Sequence, residues 1–132
     1  VIYLPDTNAW IAYVNPGDSP VKSEFRSHPP ADIAFCAVVK AELLYGAYRS
    51  TRREDNLRLL TSLFQLFKSL PFDDAAADTY GRIRADLTAR GTPIGPNDLM
   101  IAAIALAHHL TLVTHNTREF GRVEGLHLED WE

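Results

Sequence analysis

The nine residues from Leu99 to Ala107 are apolar without exception. Two breaks, Pro93 and then Gly95-Pro96, stop whatever precedes them, and Asn97 and Asp98 stand where a helix begins. A helix with no polar face has to be covered on all sides. Asp98 is therefore a carboxylate placed at the mouth of a buried helix. Short polar residues at helix starts usually serve as caps, and that reading stays open for Asp98. Two other carboxylates, Asp6 and Glu42, hold similarly unusual places, which raises a second reading.

Asp6 follows a short apolar run, Val1 to Leu4, that reads as a buried first strand. Ala9 to Val14 is apolar again, enough for a helical turn or two. Ser19-Pro20 has the form of an N-cap followed by proline at the first helical position, opening a helix to about Arg26. His28 to Ala31 is a proline-broken loop, Ile33 to Cys36 a second buried strand, and Ala37 to Tyr48 a helix carrying Glu42. The polar stretch Ser50 to Asn56 reads as the tip of a helical hairpin. Its second arm has Leu57, Leu60, Phe64 and Phe67 at spacings of three and four. Leu70 to Phe72 reads as a third strand. Asp73 or Asp74 then caps a helix with the stripe Ala76, Tyr80, Ile83 and Leu87, ended by Gly91. After the buried helix come a fourth strand, Thr111 to Thr114, a polar loop or short helix from Asn116 to Arg122, and an edge strand at His127-Leu128.

Strands alternate with helices, and no repeat, low-complexity tract or linker interrupts them. This predicts a single α/β domain over residues 1–132, with a central, mostly parallel sheet of four or five strands and helices on both faces. The 46% apolar and 23% charged fractions are those of an ordinary globular chain. No signal peptide or membrane span is expected, and the first residue, Val1, suggests a trimmed start. The lone cysteine, Cys36, excludes a disulfide framework, fits a reducing cytoplasm, and reads as a core residue. A net charge of −4 argues against non-specific nucleic-acid binding, which depends on Lys and Arg. It leaves room for a nucleic-acid enzyme built on clustered carboxylates.

Sites in open α/β sheets form beyond the carboxyl ends of the strands. Asp6 ends the first strand, Glu42 lies about a turn into the helix after the second, Asp98 opens the buried helix, and Asn116 follows the fourth strand. Topology alone sends all four to one rim, with no lysine among them. Carboxylates brought together in a partly dry cleft repel one another, so protonation or a cation has to offset them. Hard oxygen donors without His or Cys suit Mg²⁺ or Mn²⁺. Near a phosphate, such ions activate water and stabilise the attacking and leaving oxygens. The five histidines show no metal-ligand spacing on a common element and read as structural.

Asp6-Thr7-Asn8 after an apolar strand, Ala41-Glu42-Leu43 on a helix, Pro96-Asn97-Asp98 before an apolar helix, and Leu112 to Asn116 followed by Arg118-Glu119-Phe120 resemble the PIN-domain ribonucleases. The nearest group is the VapC toxins of bacterial toxin–antitoxin pairs. The stretch Gly91 to Pro96 and the closing Gly125 to Trp131 are similar to the subgroup that cuts initiator tRNA in its anticodon stem-loop. The resemblance implies a PIN-like fold and a Mg²⁺-dependent endoribonuclease, with Mn²⁺ able to substitute, acting on RNA, tRNA in the first place. It places the metal on Asp6, Glu42 and Asp98, with Asn116 and Glu119 completing the catalytic set. It further implies a homodimer, a cognate VapB-type antitoxin, and contact with operator DNA only through that antitoxin. Two departures stand out. Asn116 is an amide where the family has a fourth acid, a role that Glu119 could take. Pro5 lacks the N–H that a central strand uses.

For RNA contact the candidates are Arg49, Arg52, Arg53, Arg82, Arg90 and Arg118, each of which also reads as a solvated surface charge. Two rival functions remain. A phosphoryl-transfer enzyme with an aspartyl nucleophile would want an acid at position 8, where Asn8 stands, and a partnering lysine, which is not expected near any later strand end. A catalytically impaired PIN-like binding module for protein or RNA would account for Asn116 and Pro5, but not for the intact acidic trio.

Overall fold

The computed structural model describes every residue from Val1 to Glu132. Five short strands, β1 (Tyr3–Pro5), β2 (Ala34–Cys36), β3 (Lys68–Leu70), β4 (Thr111–Val113) and β5 (His127–Glu129), all run parallel. β1, β4 and β5 form one ladder and β2 with β3 another, joined by a single bridge between Tyr3 and Ile33. The spatial order is thus β3-β2-β1-β4-β5, with crossover helices between the strands.

Pro5 explains why the sheet narrows to one bridge. Thr111 donates its N–H to Ile2 O and Asp6 donates its own to Val113 O, each at 2.9 Å, so within the strand the even-numbered residues bond to β4, while Ile2, ahead of it, also donates to Asp32 O at 2.8 Å. Backbone groups alternate sides along a strand, so odd-numbered residues face β2. The rung after Tyr3–Ile33 would need a donor at residue 5, and proline has none. The departure is thus accommodated on one side of β1, while pairing with β4 runs through Pro5 to Asp6 unbroken.

The helices are α1 (Thr7–Val14), α2 (Pro20–Ser27), α3 (Ala37–Arg49), α4 (Arg53–Leu66), α5 (Asp74–Ala89), α6 (Pro96–Ala107) and α7 (Thr117–Phe120). Ser19 Oγ accepts from Lys22 N–H at 3.2 Å and Asp73 Oδ1 from Ala76 N–H at 2.9 Å, the caps expected from sequence. Gly91, at φ +70°, lets Thr92 N–H return to Leu87 O at 3.0 Å and closes α5. α6 lies at the centre, with Ile101, Ala102, Ala103, Ile104 and Ala105 fully buried, as an all-apolar helix requires. Under α1, the Trp10 ring stacks on Phe35 at 3.7 Å and meets Phe25 and Phe67 edge-on or tilted at 5.0 Å.

Two expectations are corrected. The third strand is Lys68–Leu70, two residues earlier than Leu70 to Phe72, because Pro71 cannot donate to the ladder and stops it. The cap of α6 is Gly95, with Pro96 at the first helical position. Asp98 sits inside the first turn and caps nothing.

Candidate active site

At the carboxyl edge of the sheet a cavity of about 240 Å³ is lined by Asp6, Thr7, Asn8, Glu42, Asp98, Asn116 and Phe120. Four of the five residues singled out from sequence line it directly. The fifth, Glu119, is joined to the wall by Asn116, whose side-chain N–H₂ donates to Glu119 Oε2 at 3.2 Å.

Each acid is held by local structure. Asp6 is buried and caps α1, its Oδ1 accepting from Ala9 N–H at 2.9 Å. Thr114 is buried at the end of β4, and its Oγ1 accepts from Asn116 N–H at 3.0 Å. Glu42 is half-buried on α3. Its Oε1 accepts from the Thr7 hydroxyl at 2.6 Å, and Asn97 reaches Oε2 at 3.5 Å. The Asp98 carboxylate has no hydrogen-bond partner in the chain. Phe120, 1% exposed, anchors α7 and so fixes Asn116 and Glu119. Gly121 allows this short helix to close, because a Cβ there would meet Thr117 O at 2.7 Å.

The electrostatics follow from that crowding. Burial, then the charges of Glu119, Glu42 and Asp6, push Asp98 up to about 6. Burial also pushes Asp6 upward, against the pull of the Thr114 and Ala9 hydrogen bonds, with Glu132 and Glu42 adding to the rise. No Lys or Arg of the chain pairs with any of these carboxylates. An oxygen-only donor set, short of positive charge and open to solvent, suits a divalent cation of the Mg²⁺ class, which keeps several waters and needs few protein ligands.

A second acidic group lies on the rim. His115 Nδ1 sits 3.0 Å from Asp130 Oδ2 and 3.6 Å from Glu132 Oε2. These three are the trio whose ligand atoms fall within 4.8 Å of one another, a tighter spacing than the cleft acids show. The cleft remains the better candidate, because the rim trio is exposed and its carboxylates already have His115 as a partner. Sequence reasoning missed this cluster, and the structural reading of His115 omitted its ion pair. The tail that carries it is pinned by Trp131, which stacks on His28 at 5.2 Å and meets Tyr3 and Phe25 edge-on.

Of the six arginines proposed for RNA contact, five are engaged within the chain. Arg49 bonds to Tyr45, Arg52 to Asp55, Arg53 to Tyr48 O, Arg82 to Asp78 and Arg90 to Asp86. Arg118, beside Glu119, is the free one. Cys36 is fully buried, and burial pushes its thiol up to about 11, which leaves no thiolate nucleophile at neutral pH. No helix is long and apolar enough to cross a membrane.

Comparison with known proteins agrees with this geometry. The PIN domain family model matches residues 3–126. A Shigella flexneri protein named tRNA(fMet)-specific endonuclease VapC is 39% identical over 129 residues, covering 98% of this chain and 97% of its own. Among solved structures, DNA-bound VapBC from Salmonella typhimurium superposes with a TM-score of 0.94 at 34% identity, over 100% of this chain and 99% of that one. VapBC2 from Rickettsia felis, bound to a promoter DNA fragment, gives 0.92 at 33% identity, with all of both chains covered. On fold, site layout and sequence together, the chain belongs to the PIN domain family and, within it, to the VapC proteins.

Proposed function

We propose that residues 1–132 act as one PIN domain, an endoribonuclease toxin that hydrolyses a phosphodiester bond of RNA at the Asp6–Glu42–Asp98 cleft with Mg²⁺, Mn²⁺ being able to substitute. tRNA is the first substrate to consider, and the anticodon stem-loop of initiator tRNA within it, given the name of the Shigella relative. The observation that carries the reading is one cavity receiving carboxylates from β1, α3 and α6 with no cation of the chain among them. A divalent ion bound there supplies Lewis acidity, lowering the pKa of a water and offsetting charge on the phosphate oxygens.

The chain's own part is to hold the donors still. Thr7 fixes one oxygen of Glu42, while Ala9 N–H fixes Asp6. Asn116 turns Glu119 toward Asp98, close enough for its charge to raise that group. Glu119 thus contributes the negative charge that the amide at 116 lacks. With Pro5 accommodated in the sheet, Asn116 is the only feature left to favour an impaired binding module.

The structural relatives are toxin–antitoxin complexes, and this chain has a surface suited to such a partner. An apolar groove of about 230 Å³, lined by Ile11, Val14, Leu43, Ala47, Leu59 and Leu60, leads up to Glu42. An antitoxin helix seated there, with a basic tail in the acidic cleft, would block access to the acids. The same reading includes a homodimer in the cytoplasm, touching operator DNA only through the antitoxin.

The test is cleavage of purified tRNA in Mg²⁺, beside Asp6→Asn and Asp98→Asn. One specific cut, abolished by EDTA and in both variants, is expected. A folded protein that cuts no RNA would return the binding module to first place.

A further inference from the structure

Behind the first turn of α6 lies a second cavity, of about 160 Å³. Pro96 and Leu99 line it, while Asp98 between them lines the acidic cleft, so one helical turn is the wall of both. Its floor is apolar, made by Leu87, Ile94 and Leu99, all nearly fully buried. Its side wall is Tyr80 with Arg84. The guanidinium lies 5.8 Å from the ring centroid, and Arg84 Nη1 donates to the Tyr80 hydroxyl at 2.9 Å. Phe72 packs edge-on against Tyr80 at 6.0 Å and steadies it. Thr88 and the exposed Pro93 complete the mouth.

This is too small for an extended ligand, whose pockets start at about 300 Å³. A small cavity with an apolar floor, an aromatic ring, a guanidinium and the hydroxyls of Tyr80 and Thr88 suits a single planar heterocycle. Unstacked bases of RNA loops are held in this way, by aromatic or Arg planes with polar groups at the base edge. α5 ends and α6 begins at the sheet edge that carries the cleft, so RNA seated at Asp98 has neighbouring nucleotides within reach.

We propose that the Tyr80–Arg84–Ile94 cavity is a nucleobase subsite, which takes one unstacked base of the RNA flanking the bond cut at Asp98. This rests on the ribonuclease reading above and narrows it to substrates with an unpaired base at a fixed distance from the cut. Stacking one base is worth about 5- to 150-fold by truncation.

The test uses the full chain and the RNA it cuts, with single abasic replacements at each nucleotide flanking the cut. In wild type, one position should lower kcat/KM by about 5- to 150-fold. In Arg84→Met, whose side chain is exposed, and in Tyr80→Leu, that penalty should shrink while the thermal shift with Mn²⁺ stays as in wild type. Wild-type cutting in which no abasic position matters, or in which the penalty is unchanged in both variants, overturns the subsite alone. Failure of wild type to cut any RNA overturns the ribonuclease reading, and the subsite with it.

Discussion

Two groups of acids share one edge of the sheet and behave in opposite ways. In the cleft, Asp6 and Asp98 are raised by burial and then by neighbouring carboxylates, and no Lys or Arg pairs with them. On the rim, Asp130 is lowered, first by the Glu132 N–H and, after a smaller opposing effect of burial, by His115. His115 is raised in turn by its hydrogen bond to Asp130. The rim has its own histidine between its carboxylates and is exposed to water, where such pairs contribute little. The cleft is left with charge that only a proton or an external cation can offset. Electrostatic frustration, more than close spacing of ligand atoms, therefore distinguishes the candidate metal site.

The largest effect that could break this contrast is on cleavage. Asp6→Asn or Asp98→Asn keeps size and shape while removing a charge. Each should lower Mg²⁺-dependent cleavage by at least about 100-fold, the upper range seen even when only a ligand's supporting partner is lost. Wild-type rates in either variant would mean that the cleft is not where the chemistry occurs.

A middle-sized effect is the pH dependence of stability. Asp98 titrates at about 6 in the folded chain against an ordinary 3.8, so between these values the native state holds more protons than the unfolded one. Stability from this group is present below the ordinary value and lost as pH rises through about 6, and Asp6 acts in the same direction. Denaturant titrations without metal should show that decline between about pH 4 and 6, reduced in Asp98→Asn and by saturating Mn²⁺. The rim has its own signs. Asp130 contributes above its ordinary value and loses this as pH falls, whereas His115 contributes at low pH and loses it as pH rises.

The smallest effect sharpens the comparison. His115→Gln on the rim should change cleavage by no more than about twofold, as for most surface substitutions. A loss as large as that of Asp98→Asn would move the metal to the rim.

The cleft was largely legible in the sequence because its acids sit at element boundaries that composition reveals. Asp6 ends an apolar run, Asp98 opens an apolar helix, and Glu42 follows a buried strand by one turn. The rim was not legible. His115 and Asp130 meet because parallel β4 and β5 pair Val113 with Glu129, a register no local pattern states. Thr114 looked like one more strand residue, although its hydroxyl receives Asn116 N–H beside the cleft. Asp98 also read as a cap, but Gly95 and Pro96 start the helix before it and leave Asp98 inside the first turn. The strand at Lys68–Leu70 is mostly exposed, so hydrophobicity pulled its expected position toward Phe72.

The most direct test of the central claim is Mn²⁺ binding, followed by calorimetry or spin resonance on wild type, Asp98→Asn and His115→Gln. The account predicts one class of binding that survives His115→Gln and is lost or greatly weakened in Asp98→Asn. Binding kept in Asp98→Asn and lost in His115→Gln would contradict it.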